Sequence, residues 1–158
     1  MDQNSKQPPC GGVESPGKYI SAIYRHMQIL ITSRLEQYRI GSGQYIFLMT
    51  VANKEGISQK ALSEELLIDK TTTAKAISKL ESEGYVRRET DPADNRYNLL
   101  YLTESGRSVM PKVQEVLHDV NGKIRSGMGG EEYELTLSML QKILFNVREQ
   151  VRNGVSEQ

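Results

Sequence analysis

The sequence predicts a mainly α-helical protein that contains one small β-hairpin. Apolar residues recur at helical spacing over most of the chain, from Ile20 near its start to Val151 near its end. The spacing changes to simple alternation on both sides of a polar turn, residues 91–96. A glycine, Gly84, stands just before the first alternating segment, where a helix would have to end.

Two short helices are predicted between Ser58 and Gly84. Ser58 is a suitable N-cap for the first helix, whose apolar spacing ends at Leu67–Ile68. Asp69 is a suitable N-cap for the second helix, and its carboxylate is favourable at the positive helix end. The expected core stripe of the second helix is Ala74, Ile77 and Leu80, with Thr73 and Glu81 beside it. The turn between the helices is then only about three residues, as in helix-turn-helix units.

The opposite face of the second helix is unusual for a solvated surface. It carries Lys70, Thr71, Thr72, Lys75, Ala76 and Lys79. Consecutive β-branched threonines are poor helix formers, and an ordinary solvated face favours Glu–Lys pairs. Threonine hydroxyls bond phosphates or base edges, and the threonine methyl packs on a thymine methyl. We interpret this face as one that reads duplex DNA, and a merely solvated face is the alternative.

The hairpin follows directly after this helix. Residues 85–90 and 97–102 alternate, and the turn between them is rich in Asp, Pro and Asn. Asp94 and Arg96 are two residues apart, so we expect their side chains to pair and to present the arginine to a minor groove. The candidate DNA-binding residues are therefore Ser58, Lys70, Thr71, Thr72, Thr73, Lys75, Ala76, Lys79, Arg87, Asp94, Asn95 and Arg96.

These motifs resemble the MarR-type winged helix-turn-helix regulators of bacteria and archaea. The resemblance rests on Asp69-Lys70, Lys79-Leu80-Glu81, Gly84-Tyr85-Val86, Asp94-Asn95-Arg96, Leu102-Thr103-Glu104-Ser105-Gly106 and Gly41-Ser42-Gly43-Gln44-Tyr45. It covers essentially everything beyond the first dozen residues, and Asn95 departs from it where members often carry a second arginine. The resemblance implies a β-hairpin wing, and first and last helices that interlock in a two-fold dimer.

Long amphipathic helices are predicted on both sides of the central motif. Ser15-Pro16 opens the first, which runs to about Arg39, and Thr103 caps another, in which Pro111 permits a kink. These helices bury little against one small domain, so we expect them to bury their apolar stripes against a second copy. The predicted organisation is a flexible tail (1–14), dimerisation helices (15–40 and 104–153) and a DNA-binding lobe (41–103).

Composition is consistent with a single regulatory domain. The 158 residues include 20 basic and 20 acidic side chains, so the formal net charge is zero. This balance argues against an indiscriminately cationic DNA coat but permits one basic docking face, from which Glu64, Glu65 and Glu83 would have to point away. The sequence contains no apolar run long enough to span a bilayer and no signal-peptide pattern, so we expect a soluble, cytoplasmic protein.

The sequence gives little indication of other chemistry. His26 and His118 are far apart and no Cys or carboxylate cluster has metal-ligand spacing, so we expect no metal. We also expect no cofactor and no enzymatic activity, because no phosphate loop, nucleophile elbow or paired acid–base motif is present. Two alternatives remain: a winged helix that assembles with other proteins, and a redox-sensing regulator that uses the single cysteine, Cys10.

A mixed aromatic and cationic set is the candidate effector site. Aromatic rings supply stacking area and arginine binds carboxylates in a bidentate manner, which suits a small aromatic carboxylate. The MarR resemblance agrees, because related regulators respond to phenolic acids such as salicylate. The alternative is that these side chains only close a dimer core. The candidate residues are Tyr24, Arg25, His26, Tyr38, Arg39 and Tyr45.

The sequence thus predicts a homodimeric regulator, acting as a repressor, that binds a pseudo-palindrome in double-stranded DNA. We expect a small aromatic or phenolic ligand to adjust its affinity for DNA.

Overall fold

The computed structural model describes residues 14–155, and it divides into two compact units at His118/Asp119. The predicted tail (1–14), with Cys10, lies outside the described residues apart from Glu14. The helices are α1 (Pro16–Leu35), extended by a 3-10 turn (Glu36–Tyr38), α2 (Tyr45–Asn53), α3 (Gln59–Leu66), α4 (Lys70–Ser82), α5 (Glu104–Ile124) and α6 (Gly130–Val155). The strands are β1 (Ile57–Ser58), β2 (Val86–Thr90) and β3 (Asn98–Leu102). The predicted fold class, mainly α with a small β-hairpin wing, is confirmed.

All four predicted helix caps are present. Ser15, Ser58, Asp69 and Thr103 each accept a hydrogen bond from the backbone amide three residues later, at 3.3, 3.1, 2.8 and 3.0 Å respectively. These bonds satisfy amides that have no partner inside the helix. α3 ends slightly earlier than predicted because Leu67 adopts a left-handed backbone conformation, with φ at 57°.

The sheet contains one more strand than the sequence predicts. Its order is β1-β3-β2, and both pairs are antiparallel. In the hairpin, Val86 lies opposite Leu102 and Thr90 lies opposite Asn98. β1 has only two residues, and two residues are too few to produce a visible alternation in the sequence.

The core face of α4 differs from the predicted stripe. Thr73 and Ala76 are 0 % and 5 % exposed, and they lie beside the buried Ile77 and Leu80. Ala74 is only half-buried. The actual stripe follows i, i+3, i+4, i+7, which stays on one side of a helix, whereas i, i+3, i+6 drifts away from it. The assignment of Thr73 and Ala76 to the DNA-binding surface is therefore wrong, because both side chains point into the core.

The start of α5 lies very close to the backbone that follows α4. The Thr103 amide donates to the Tyr85 carbonyl oxygen at 3.0 Å, and a β-carbon on Gly106 would overlap that same oxygen. Gly106 is therefore required by packing rather than by its backbone angles. From this anchor α5 continues as one helix through Pro111.

Gly106→Ala is expected to lower the free energy of unfolding by about 1–3 kcal/mol, the usual cost of forcing an extra carbon into a packed contact. Gly122→Ala is the matched control, because it lies in the same helix with no atom near its added methyl. Alanine there should be neutral or stabilising, since alanine favours helix. Urea unfolding of both variants checks this, and equal stabilities would contradict the packing argument.

Helix α6 carries an apolar stripe that the described chain leaves exposed. Leu137, Leu140, Leu144, Val147 and Val151 follow i, i+3, i+7, i+10, i+14 and are 37–63 % exposed. This is the spacing of a helix that packs along another helix. α1 also exposes large apolar side chains, among them Tyr19, Ile20, Ile23 and Tyr24.

Two further observations concern residues 14–155. No helix in this part of the chain is long and apolar enough to cross a membrane. Nor does this part contain a group of three or more His, Cys, Asp or Glu side chains that could hold a metal ion.

Candidate nucleic-acid interface

The exposed face of α4 is polar and basic. Lys70, Thr71, Thr72 and Lys75 are all exposed, as predicted. Ser78 is also exposed and lies on the same side as Thr71 and Lys75, because the three follow i, i+4, i+7. This spacing was the sequence signal that could have added Ser78 to the candidate residues.

Asp94 and Arg96 form the predicted pair in the turn of the wing, which we define as β2, β3 and residues 91–97 between them. Arg96 donates from Nε to Oδ1 at 2.9 Å and from Nη2 to Oδ2 at 2.6 Å. The Arg96 backbone amide also donates to Oδ1, at 3.1 Å. The arginine side-chain bonds, followed by this backbone bond, hold the pKa of Asp94 below its usual range. The Arg96 side chain remains 79 % exposed and is held ready to contact a partner.

Lys70 and Arg96 line one groove of about 340 Å³. The other residues that line it are Gln59, Lys60, Tyr97 and Asn98. The groove thus combines three cationic side chains from the starts of α3 and α4 and from the wing, a combination that suits a phosphate backbone. Gln59, Lys60 and Asn98 were not predicted, because only the folded chain brings these three elements together.

Lys79 lies one turn beyond Lys75 on the same side of α4, but it has an acidic partner. The Lys79 ammonium donates a hydrogen bond to Oε1 of Glu83, and Oε2 of the same carboxylate is 3.6 Å from Nη1 of Arg39. Glu83 therefore lies beside two cations instead of pointing away from the basic side chains, and it is only 14 % exposed. The bond from Lys79 and the nearby charge of Arg39 lower the pKa of Glu83. Lys79 is about 13 Å along the helix axis from Lys70, at 1.5 Å per residue.

The two arginines of β2 point to opposite faces of the hairpin. Arg88 bonds to Glu81 and Ser78 of α4. Arg87 instead stacks on the Tyr101 ring, 4.8 Å from its centroid, and pairs with Glu89. Arg87, which the sequence predicts to bind DNA, therefore lies on the face of the hairpin opposite the one that Arg88 joins to α4.

Ser58, another predicted contact, is half-buried and its hydroxyl caps α3. Asn95 is exposed beside Arg96, as predicted for the turn.

The described cavities do not bring the six candidate effector residues together. Tyr24, Arg25 and His26 are exposed on α1, where His26 Nδ1 lies 2.8 Å from the carbonyl oxygen of Ala22. Tyr45 is half-buried, and burial, followed by the nearby Tyr24, raises its pKa. Arg39 borders a cavity of about 500 Å³ with Lys79 and Glu83, in which carboxylates offset the cations. The single effector site stays a prediction, because no described cavity is lined by more than one of its six residues.

Tyr38 lines a separate cavity of about 450 Å³. The other lining residues are Tyr85, Glu104, Ser105, Ser108, Val109 and Lys112. Lys112 Nζ lies 5.5 Å from the centroid of the Tyr38 ring, and the Tyr85 hydroxyl donates to the Tyr38 carbonyl oxygen at 2.9 Å. This cavity combines aromatic surface, hydroxyl groups, one lysine and one carboxylate, that of Glu104.

Similarity to known proteins identifies the family. The MarR family model matches residues 40–97, which include α2, α3, α4 and β2. The transcriptional regulator HosA of Escherichia coli O111:H- is 34% identical over 101 residues, which is 64% of this chain and 75% of HosA. The crystal structure of a MarR transcriptional regulator from Methanosarcina mazei Go1 is 40% identical, covers 85% of this chain and 96% of its own, and has a TM-score of 0.75.

The chain belongs to the MarR family. The resemblance drawn from its motifs is thereby confirmed. Its relatives are transcriptional regulators, and this MarR-family protein is one also. A MarR-family regulator from Listeria monocytogenes, solved in complex with 26mer DNA, shares the fold at 24% identity with a TM-score of 0.81, over 87% of this chain and 92% of its own.

Proposed function

We propose that this MarR-family protein is a homodimer that binds a pseudo-palindromic operator in double-stranded DNA. The observation that carries the proposal is the groove shared by Lys70 of α4 and Arg96 of the wing, beside exposed Thr71 and Lys75. A DNA duplex presents a regular row of phosphates to such a groove. Localised basic side chains on a chain of zero net charge favour one docking face over general binding to polyanions.

Each part of this surface has a separate role in the proposal. The N-terminal part of α4 enters a major groove, where Thr71 and Thr72 meet base edges and Lys75 meets a phosphate. Arg96 enters the adjacent minor groove, where the potential is most negative. Lys60 and Lys70 hold the phosphate backbone between them. Arg87, Thr73 and Ala76 have no place in this proposal, because of their positions in the fold.

Dimerisation is proposed from the exposed apolar stripe of α6. A second copy supplies an identical stripe, and a two-fold axis lets both cover each other. The same symmetry places two α4 helices on half-sites about 10 bp apart. A dimer that covers such a site excludes RNA polymerase from an overlapping promoter, so we propose that the protein is a repressor. We also propose that it acts in the cytoplasm.

A gel shift with DNA from upstream of the protein's own coding region tests DNA binding. We expect a specific complex at about 150 mM salt, at least about 1,000-fold tighter than with scrambled DNA of the same composition. Equal binding to both DNAs would reject sequence-specific recognition. Absence of any complex, together with a co-purifying protein partner, would favour the assembly-module alternative.

Lys75→Ala is expected to reduce the slope of log affinity against log salt by about 0.9 for each phosphate that the lysine neutralises, and to weaken binding to all sequences. Lys79→Ala, four residues later on the same helix, is the matched control and should leave the slope unchanged, because Glu83 neutralises Lys79. Fluorescence anisotropy at several salt concentrations measures both slopes. If Lys79→Ala reduced the slope and Lys75→Ala did not, the phosphate contact would lie at Lys79, and the proposed docking face would be wrong.

We also propose that a small aromatic carboxylate binds the cavity lined by Tyr38, Tyr85 and Lys112. The volume of about 450 Å³ is within the range of ligand sites. The Tyr38 ring supplies stacking area and Lys112 supplies a cation for the carboxylate. A ligand there touches Tyr85, three residues after the end of α4, and so can favour one orientation of α4. A tenfold change in DNA affinity requires a preference of about 1.4 kcal/mol per dimer.

Salicylate at millimolar concentration is expected to release the protein from its operator. Lys112→Gln should weaken this release, because it removes the cation that faces the carboxylate, and phenol, which lacks a carboxylate, should act more weakly. Anisotropy of the protein–DNA complex and calorimetry on the free protein measure the two effects. No release and no heat of binding would reject salicylate as an effector.

A further inference from the structure

Arg88 joins the wing to α4. It donates from Nη1 to Oε2 of Glu81 at 2.6 Å and from Nη2 to Oγ of Ser78 at 3.0 Å. Its Nε is buried and has no hydrogen-bond partner among the described residues, so the inner part of the guanidinium lies between the hairpin and the helix. A planar group that binds two acceptors on one helix restrains orientation as well as distance.

The position of Arg88 along β2 makes this link important. On the same face of the strand, Val86 is in the core and Thr90 is exposed. Arg88 is therefore the outermost side chain of this face that holds the hairpin to α4. Beyond it the turn is closed by its own bonds, from the Asp91 amide to the Tyr97 carbonyl oxygen at 2.9 Å and from the Tyr97 amide to the Asp94 carbonyl oxygen at 3.0 Å.

Arg88 reaches the side of α4 that faces DNA in the proposed complex. Ser78 shares that side with Thr71 and Lys75, so a shift of the guanidinium changes the angle between this side and the wing. Both surfaces must meet one DNA site together, and a misaligned wing would bind that site less completely. A network of one arginine with two helix side chains holds that angle.

We propose that Arg88 is a positioning residue for DNA recognition, which fixes the wing relative to α4 so that Arg96 and Lys75 engage the same site. This inference rests on the proposed DNA-binding function. Arg88 binding directly to a phosphate is the competing role. The two roles require different things of Glu81. If Arg88 positions the wing, it needs Glu81 as an acceptor. If Arg88 binds a phosphate, Glu81 competes with that phosphate for the guanidinium.

Arg88→Lys and Glu81→Ala test the inference by operator affinity. Lysine keeps the charge but cannot reproduce the planar two-acceptor link, so both variants should raise the Kd about fivefold, within the range of local coupling energies. Arg87→Lys and Glu89→Ala are matched controls on the opposite face of the same strand and should stay near wild type. Unchanged or tighter binding by Glu81→Ala would overturn positioning in favour of a phosphate contact.

A double-mutant cycle gives a readout that general destabilisation would not move. If Arg88 aligns the wing, Arg96→Ala should cost less affinity in the Arg88→Lys background than in wild type.

In the free protein, hydrogen exchange at the Asp91 and Tyr97 amides should quicken about threefold in Arg88→Lys while α2 exchange and Tm stay unchanged. Additive effects with unchanged exchange would overturn the inference while wild type still binds its operator. Failure of wild type to bind would instead reject the proposed function and this inference with it.

Discussion

Arg96→Ala is expected to raise the Kd for the operator by about 100-fold, because each wing gives up an arginine interaction of about 1–3 kcal/mol and a dimer carries two wings. The Arg96 side chain is 79 % exposed and its described contacts, with Asp94 and the Tyr97 ring, are local, so the fold should not change. Fluorescence anisotropy with the native operator measures the loss of affinity, and circular dichroism confirms the fold.

Asp94→Ala is the graded companion to this change. It keeps the arginine but removes the carboxylate that holds its guanidinium and its backbone amide, so affinity should fall less, by about tenfold. Asn95→Ala, between them in sequence, tests whether the exposed amide contributes. Binding of Arg96→Ala and Asp94→Ala at the wild-type level would mean that the wing does not reach DNA.

Leu144→Glu is expected to convert the dimer into monomers and to reduce operator affinity to the non-specific level, a loss of about 1,000-fold or more. Leu144 lies in the middle of the exposed apolar stripe of α6. A two-fold interface would place the new carboxylate and its symmetry mate in an apolar contact, where an unpaired charge is very unfavourable. Light scattering at micromolar concentration measures the assembly.

Asn146→Glu is the matched control for this variant. Asn146 is exposed on nearly the opposite side of α6, since two residues correspond to about 200° around a helix. The Asn146→Glu variant adds the same negative charge as Leu144→Glu and should remain dimeric. A dimeric Leu144→Glu protein, or a monomeric wild type, would reject α6 as the dimer interface.

Features that depend on neighbouring residues were predicted well. A capping oxygen such as that of Asp69 reaches an amide only three residues away, and the Asp94–Arg96 pair spans two residues. Their geometry is therefore nearly fixed by local sequence. The hairpin was visible for the same reason, because alternation persists over both strands.

Features that depend on tertiary packing were predicted poorly. Thr73 looked like a surface hydroxyl, yet the core selects it because it lies i−4 and i−7 from Ile77 and Leu80. The Arg39–Glu83 pair joins residues 44 positions apart, and no periodicity reports such a contact. The groove between Lys60, Lys70 and Arg96 likewise exists only after three elements have packed.

The effector residues illustrate a second limit. Tyr38 and Arg39 are adjacent in sequence, but they line different cavities because the backbone turns left-handed at Arg39, with φ at 56°. Suitable residue types that are adjacent in sequence therefore do not by themselves indicate which cavity each residue lines. The cavity at Tyr38 and Lys112 depends on the approach of α5, which Gly106 permits.

Hydroxyl-radical footprinting of the wild-type protein on its own upstream DNA tests the central claim, that two copies read one operator through α4 and the wing. We expect two protected segments related by dyad symmetry, with half-site centres about 10 bp apart. Arg96→Ala should remove the protection of the minor groove beside each half-site, where the proposal places the Arg96 side chain. A single protected segment, or protection without dyad symmetry, would contradict the proposed dimeric recognition.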